Sequence, residues 1–429
     1  MVVAGKDVEM IGLSGRFRKD NQNTVNKEQK TPRRKSGLLV LISLLILGLG
    51  ISGLFMACSD ASDTSSGATG NPMPPLVTDE GTATPVEGTN AGDEDVSEAS
   101  ETSLPADSEE AAGQSLQQVP VYEAADPASV EADELGQIMV LMYHHIREPE
   151  AEWSRTPDHF RKDLKVLYEQ GFRPIRLIDY ARGQIHVPAG TTPVVFTFDD
   201  GNENNFRMIE DEAEEWIIDP DCAVGILMAF HEEHPEFRPH ATFFINGGTP
   251  FGQPDWVDFK LNYLVTNGMD IGNHTETHLH LGDASAEQLQ QELGRIQQLM
   301  NRYVDDYPVN TFALPFGSRP SSDSVAPYVE RGTYQEVTYV NEAVLEVGWD
   351  PYHSPYHRDF NPHKIRRVRA SETKVDGVGM YDWLASFESG SRRRFISDGD
   401  PNTIAIPESR AELLREDLEG YEIRLYEAP

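Results

Sequence analysis

The chain has 429 residues, with 36 Lys and Arg against 71 Asp and Glu, which gives a formal net charge of −35. A charge of this sign argues against nucleic acid as a partner, because phosphate binding needs a basic surface. Only two cysteines are present, Cys58 and Cys222, so a disulfide framework and a cysteine-based zinc site are both excluded. The length suits one large domain or two smaller ones.

The first 57 residues predict a basic leader followed by a membrane-spanning helix. Residues 1–36 carry nine basic and four acidic residues, and residues 37–57 form an uncharged run of 21. About 20 apolar residues span a bilayer as a helix. The basic leader places residues 1–36 in the cytoplasm and the chain after residue 58 outside. The alternative, a buried core helix, is disfavoured because such helices rarely lack a polar face.

Cys58 follows this apolar run directly, after the small residue Ala57. This arrangement resembles a bacterial lipoprotein processing site, although Phe55 and Met56 stand where smaller or branched residues are usual. An uncleaved anchor at 37–57 is the preferred interpretation, and lipidation of Cys58 is the alternative. Either one predicts a membrane-tethered protein whose main part is extracellular.

Residues 59–136 are predicted to form a disordered acidic linker. They contain 18 acidic residues and no Lys or Arg, and are rich in Ser, Thr, Gly, Ala and Pro. Such a segment cannot bury enough apolar surface to offset the entropy lost on ordering. The folded domain is therefore expected over residues 137–429.

From residue 137 onward, apolar strands alternate with helical patterns. Strands are expected at 138–143, 193–198, 241–245, 269–272, 311–314 and 421–426. Helices are expected from Pro157 to Gly171, around 203–217, at 223–232 and 255–267, after the Ser285–Gln288 capping box, and at 407–419. This alternation predicts an α/β fold with a parallel sheet or barrel. Active sites in such folds lie at the C-terminal ends of the strands.

Polar residues follow two of these strands in patterns that suit a metal site. Asp199 and Asp200 come directly after strand 193–198, where adjacent carboxylates are costly to place, although Asp followed by Gly also suits a turn. His274 and His278 follow strand 269–272 at a spacing that can present two imidazoles to one metal. A surface helix is the alternative for this His pair.

Two further groups follow strands in the same way. His144 and His145 end strand 138–143, and residues 313–317 (ALPFG) follow strand 311–314. The alternative for residues 313–317 is a simple Pro-Gly turn. In an α/β barrel all four groups would converge on one rim.

Taken together, residues 138–317 resemble the polysaccharide deacetylases with a NodB-homology domain, carbohydrate esterase family 4. Residues 197–201 (TFDDG) match the first motif of that family, and residues 273–278 (NHTETH) match the second. Residues 140–146 (VLMYHHI) resemble the opening of a subgroup that deacetylates poly-N-acetylglucosamine. The resemblance implies a distorted (β/α) barrel that binds one divalent metal, usually zinc.

The resemblance also implies roles for individual residues. Asp200, His274 and His278 correspond to metal ligands, and Asp199 corresponds to the general base. Pro315, Phe316 and Gly317 are the expected substrate-binding residues. One Asp and two His leave positions on zinc for water and substrate, and a general acid must then protonate the leaving amine.

The chain departs from the family pattern in two places. The usual third motif has an Arg that contacts the base, where this chain has Ala313, and the late Leu-x-His motif is missing. Both departures resemble the poly-N-acetylglucosamine subgroup, in which the acid His comes from the first strand. His144 is therefore the candidate acid and His145 the second choice, with a structural role as the alternative for His144.

Two other groups of residues do not by themselves indicate a catalytic site. Arg366 and Arg367, with the arginines at 392–394, are predicted to form solvated basic patches. Residues 349–357 (WDPYHSPYH) are either an aromatic platform for sugar rings or a core segment with a turn.

The sequence is compatible with three functions. The preferred one is a metal-dependent hydrolase that removes N-acetyl groups from an extracellular N-acetylglucosamine polysaccharide, either peptidoglycan or an exopolysaccharide. The alternatives are a cell-surface barrel that binds glycan with little or no turnover, and an anchored scaffold. The presence of Asp199 together with a complete ligand set favours the enzyme.

Overall fold

A computed structural model describes residues 122–428 of the chain. The predicted leader at 1–36, the membrane helix at 37–57, Cys58 and the linker up to residue 121 lie outside the described residues, so those predictions stand as made. Across the described range, no helix has both the length and the apolar character needed to cross a bilayer.

The ordered domain extends further toward the N-terminus than the composition predicted. Ala132, Glu134 and Leu135 are buried, although they belong to the segment interpreted as linker. The amide of Ala125 donates a hydrogen bond to the carbonyl of Asp398, and the Glu134 carboxylate accepts one from the amide of Ala405. The boundary at 136 is therefore wrong, because long-range backbone pairing orders a segment whose composition favours disorder.

The centre of the domain is an eight-stranded sheet in which every pairing is parallel. Its strands are β1 (Met139–Tyr143), β4 (Phe172–Pro174), β5 (Thr192–Phe198), β8 (Thr242–Ile245), β9 (Asp270–Asn273), β10 (Thr311–Ala313), β13 (Ala343–Leu345) and β14 (Val368–Arg369). Their order is β13-β10-β9-β8-β5-β1-β14, with β4 beside the N-terminal half of β5. This bears out the α/β prediction. All seven residues of β5 are buried, as expected for a strand covered on both faces.

One short segment connects the two edges of this sheet. Ile365 pairs with Leu345 at the end of β13, and three residues later Val368 pairs with Leu141 in β1. The sheet is therefore strongly curled, and its edges approach each other in the manner of a barrel.

Six helices of the described residues pack against the curled sheet. They are α1 (Pro157–Glu169), α2 (Leu177–Arg182), α3 (Ala223–Glu233), α4 (Val257–Thr266), α5 (Ala286–Met300) and α6 (Met380–Glu388). Helix α1 begins as predicted, with Thr156 accepting a hydrogen bond from the amide of His159 and Pro157 at the first helical position. Helix α5 begins at the predicted capping box of Ser285 and Gln288.

Short strand pairs complete the described structure. They are β2 (His145–Ile146) with β3 (Ser154–Arg155), β6 (Met208–Glu210) with β7 (Trp216–Ile218), β11 (Arg331–Tyr334) with β12 (Val337–Val340), and β15 (Thr403–Pro407) with β16 (Glu422–Tyr426).

Two predicted helices are wrong. Residues 203–217 form a short 3-10 turn and the β6–β7 hairpin, because the Asp211 carboxylate accepts hydrogen bonds from the amides of Ala213 and Glu215 and so stabilises a turn. Residues 407–419 contain the 3-10 turn Glu408–Leu413 and a loop. Backbone hydrogen bonds hold that loop against residues 356–358, which prevents it from continuing as a helix.

Candidate active site

The polar residues that follow the strands meet at the C-terminal edge of the curled sheet. His144 follows β1, Asp199 and Asp200 follow β5, and His274 follows β9. Strand β10 leads into the 3-10 turn Pro315–Gly317. Since β1 and β5 are neighbours and the sheet curls from β5 through β8 to β9, the carboxylates face the imidazoles.

Asp200, His274 and His278 form a cluster of the kind that holds a metal ion. Their three ligand atoms lie within 4.8 Å of one another. The Oδ1 atom of Asp200 is 3.5 Å from Nε2 of His274 and 3.5 Å from Nε2 of His278. Two ligands bound to one tetrahedral zinc are about 3.4 Å apart, given bond lengths of about 2.0–2.1 Å. The two distances from Asp200 therefore match those expected for ligands of a single divalent ion.

The surroundings orient these ligands. Nδ1 of His274 is 2.8 Å from the carbonyl oxygen of Ala313, which leaves Nε2 directed at Asp200. Asp200 and His278 both adopt left-handed backbone conformations, with φ of 73° and 57°. Burial acts to raise the pKa of Asp200, but the hydrogen bond with His274 lowers it below its usual value, so the carboxylate is available as an anionic ligand. The left-handed backbone conformations of Asp200 and His278 are unfavourable for residues other than glycine and are typical of functional sites.

Asp199 lies beside this cluster and is held by a fully buried arginine. Nη1 and Nη2 of Arg367 donate to its two carboxylate oxygens at 2.7 and 2.8 Å, and the Arg367 side chain has no exposed surface. Burial alone would raise the pKa of Asp199, but the charge of Arg367 overcomes this and holds the pKa well below its usual value. Asp199 is therefore ionised and fixed in orientation.

His144 faces the same carboxylate from the β1 side. Its Nε2 atom is 3.8 Å from Oδ2 of Asp199, while Nε2 of His274 is 4.0 Å from that oxygen. Burial lowers the pKa of His144 below its usual value, and the nearby Asp199 acts in the opposite direction. About a fifth of the side chain (18%) is exposed, so His144 can reach a substrate held at the cluster.

His145, the second choice for the acid, has a different setting. Its Nδ1 atom is 3.2 Å from the side-chain nitrogen of Asn204, and Asn204 also accepts a hydrogen bond from the amide of Ile146. These contacts connect the β2 strand to the loop after β5. His145 therefore contacts a residue that holds the loop in place, whereas His144 lies next to Asp199 and is the better candidate for the acid.

The predicted substrate-binding turn lies on the other side of the cluster. Pro315 is buried, whereas Phe316 is 66% exposed and its ring lies 4.5 Å from that of His278. Phe316 and Gly317 are both left-handed, with φ of 57° and 65°. This conformation keeps an apolar ring in solvent beside a metal ligand, a position from which it can contact substrate.

Sequence reasoning missed the role of Arg367. The predicted solvated patch at Arg366 and Arg367 is wrong for Arg367, which is buried and binds Asp199. Arg366 is half-buried and pairs with Asp350 at 2.9 Å. The absence of Arg at position 313 was a usable signal, because a buried carboxylate needs a cationic partner. The missing arginine at 313 indicates that another cation must pair with Asp199, but it does not identify the residue that does so.

The segment 349–357 is mainly a core element and not a platform. Tyr352 and Tyr356 are buried in the apolar cluster beneath β1 and β5. Trp349 is exposed, and its carbonyl oxygen accepts a hydrogen bond from the indole of Trp383.

Comparisons with known proteins agree with this geometry at the level of the domain. Residues 186–337 match the sequence model of the family described as polysaccharide deacetylase. This range contains Asp199, the three candidate ligands and the Pro315–Gly317 turn, but neither His144 nor Arg367. No curated protein matches the chain.

Several solved structures are similar to it. The Streptococcus pyogenes deacetylase PplD in complex with acetate has 17% identity and a TM-score of 0.43, covering 58% of this chain and 98% of that one. A putative polysaccharide deacetylase from Bacillus anthracis has 20% identity and a TM-score of 0.42, covering 56% of this chain and 67% of that one. IcaB from Ammonifex degensii has 18% identity and a TM-score of 0.39, covering 58% of this chain and 97% of that one.

None of these likenesses is close enough to transfer a substrate or a residue's role to this chain. The family match stands independently of them and covers the two motifs that surround the metal cluster. The predicted resemblance is thus confirmed for this part of the chain: residues 186–337 match the polysaccharide deacetylase family.

Proposed function

We propose that the protein is a metal-dependent hydrolase that removes N-acetyl groups from an N-acetylglucosamine-containing polysaccharide. The bond broken is a carbon–nitrogen bond in a linear amide. The observation that carries this proposal is the juxtaposition of a three-ligand cluster with an ionised Asp199 that is not one of its ligands. A carboxylate in this position supplies a base for water without removing a ligand from the metal.

The donor set of one carboxylate and two imidazoles suits zinc, and zinc is the proposed metal. A divalent ion held by Asp200, His274 and His278 supplies Lewis acidity toward the acetyl carbonyl and favours ionisation of water. The residues around it then do the remaining work of binding, orientation and proton transfer.

Asp199 accepts the proton of the attacking water in this proposal. Its low pKa makes it a weak base, so it depends on a water that is already acidified. The contact with Arg367 keeps the Asp199 carboxylate ionised and fixed in orientation throughout the working pH range. Geometry of this kind supplies orientation, which contributes a large part of catalysis.

His144 protonates the leaving amine. Its Nε2 atom faces Oδ2 of Asp199 across 3.8 Å, so base and acid border the same space. An amide nitrogen leaves only after it gains a proton, which is why the reaction needs a donor here. Because Asp199 directly follows β5 and His144 directly follows β1, the two groups approach that space from the ends of neighbouring strands.

The alternative is a barrel that binds glycan with little or no turnover. The main reason for it was Ala313, which replaces the arginine that contacts the base in related enzymes. Arg367, which directly precedes β14, makes a two-pronged contact with Asp199, so the loss of arginine at 313 has a compensating partner. This favours the enzyme over the binding module.

The proposal also covers location and substrate. Residues 37–57, or a lipidated Cys58, would hold the protein at the cell membrane with the deacetylase domain outside. The sequence resemblance around His144 points to poly-N-acetylglucosamine, and peptidoglycan is the other substrate of the same chemistry.

Acetate release from a panel of N-acetylated glycans tests this function. The purified, metal-loaded protein should release acetate from at least one of poly-N-acetylglucosamine, peptidoglycan and chitin oligomers, and a chelator should abolish the release. Glycan binding without acetate release by a metal-loaded sample would support the binding module instead.

A further inference from the structure

An exposed tryptophan lies against the proposed acid. The ring of Trp153 is 4.8 Å from that of His144, and 42% of its surface is exposed. The residue directly precedes β3, and its carbonyl oxygen accepts a hydrogen bond from the amide of His145. Trp153 therefore lies on the β1 side of the cluster, whereas Phe316 lies beside His278 on the β10 side.

The position of Trp153 is fixed by charged neighbours from a distant part of the chain. The guanidinium of Arg369 lies 5.2 Å from the centre of its ring. Arg369 also donates to Glu152 at 3.1 Å, and Lys374 donates to the other oxygen of Glu152 at 3.0 Å. The hydroxyl of Ser371 donates to the carbonyl of Ala151 at 2.8 Å.

A second network holds the other end of the same loop. Arg155 is buried and binds Asp163, Glu150 and Glu372. The loop that carries Trp153 is thus fixed on both sides, and little conformational entropy remains to be lost when a ligand contacts the ring.

The exposed and fixed ring of Trp153 lies beside the proposed acid, where it can contact a bound substrate. The carbon–hydrogen face of a pyranose ring is apolar and flat enough to pack on an indole. A sugar whose acetyl group binds at the cluster would lie between His144 and His278. The ring beyond His144 is then available to the neighbouring sugar of a chain.

We propose that Trp153 is a binding platform for the saccharide unit next to the one that is deacetylated, on the His144 side of the metal cluster. This inference rests on the proposed function and extends it to the length of glycan that the site binds. It makes the protein selective for oligomers over the monosaccharide, because the monosaccharide leaves Trp153 uncovered.

The test compares W153A with W349A, a matched control. Trp349 is a tryptophan of greater exposure (61%), and it belongs to the segment after β13. For acetate release, kcat/KM should be measured on N-acetylglucosamine and on its tetramer. W153A should lower the value for the tetramer about tenfold and leave the monosaccharide within about twofold, since truncating a buried aromatic contact typically removes this much affinity. W153F should recover part of the loss, and W349A should match the wild type.

Two results would overturn the proposal. An equal fall for monosaccharide and tetramer would mean that Trp153 only positions His144. A loss for the tetramer in W349A but not in W153A would place the platform after β13.

A binding measurement separates this proposal from the proposed function. In metal-loaded protein carrying D199N, the affinity for the tetramer should fall about tenfold when W153A is added. If the wild type releases no acetate from any glycan, the deacetylase function fails, and this affinity still decides the platform. Unchanged affinity on adding W153A would exclude it.

Discussion

Two buried arginine–aspartate pairs differ in what surrounds the carboxylate. Asp163 accepts hydrogen bonds from Nε and Nη2 of Arg155 and from the hydroxyls of Tyr143 and Tyr381. Its acceptor capacity is filled by protein groups. Asp199 is held by the two-pronged contact of Arg367, and its Oδ2 atom faces His144 and His274.

The difference shows how to distinguish a structural carboxylate from a chemical one. Both are fixed by a buried guanidinium, and both would be costly to bury alone. Asp163, the carboxylate surrounded by donors, joins α1 to β1, β3 and α6 through Tyr143, Arg155 and Tyr381. Asp199, which is not fully surrounded by donors, borders the metal cluster and can accept a proton from the attacking water.

The largest effect is expected from D199N. Asparagine keeps the shape but cannot accept a proton, so turnover per folded, metal-loaded molecule should fall by about 10²–10⁴-fold. Metal content should stay near the wild-type value, because Asp199 is not one of the three ligands. Full activity in D199N, measured as acetate release, would sink the base assignment.

A loss of similar order is expected from H144A. Removing the proton donor should lower turnover by about 10²–10⁴-fold while metal content stays normal. H145A is the matched control, since its neighbour Asn204 gives it a structural setting. Near-normal acetate release in H144A with a large loss in H145A would transfer the acid role to His145.

The sequence anticipated the cluster well and its supports poorly. Asp199, Asp200, His274 and His278 occur in short motifs directly after apolar strands, so local sequence was enough to place them on one rim. Arg367 is separated from Asp199 by 168 residues, and no local pattern distinguishes it from the half-buried Arg366 beside it. Contacts of this range arise from the curl of the sheet, which a single sequence does not specify.

The same limit explains the errors in the fold. The strands and capped helices of the barrel follow from hydrophobic period and capping residues such as Thr156 and Ser285. The hairpin at 208–218 and the ordered segment at 125–136 depend on a side-chain turn contact and on distant backbone partners. Neither the composition nor the hydrophobic periodicity of the sequence indicates these contacts.

The third prediction concerns the structural pair. D163N should lower the free energy of unfolding by about 3 kcal/mol, because it weakens the main partner of a buried arginine. D199N should also lose stability, since Arg367 loses its carboxylate in the same way. The two variants should separate in turnover per folded molecule, which D163N should leave within about threefold of the wild type, as expected for a group outside the reacting site. Denaturant unfolding and acetate release, measured together, check this; a D163N protein that is stable and inactive would reverse the comparison.

The smallest effect should come from Asp270, a half-buried carboxylate that is remote from the cluster. Burial raises its pKa to about 6, and its Oδ2 atom has no hydrogen-bond partner. A carboxyl whose folded pKa is raised destabilises the fold when ionised, and this penalty is lost as the pH falls from above 6 toward the unfolded pKa of about 3.9. D270N should therefore be more stable than the wild type at pH 7, and the advantage should shrink by pH 4. An advantage that is constant across this range in thermal unfolding would contradict the assignment.

The measurement that tests the account most directly is metal content beside acetate release in the wild type, D199N and H274A. The account predicts one divalent ion per chain in the wild type and in D199N, and acetate release in the wild type alone. H274A should lose both the ion and the activity, because His274 is one of three ligands within 4.8 Å of one another. Retention of a full metal complement together with normal acetate release in H274A would contradict the claim that Asp200, His274 and His278 hold the catalytic metal.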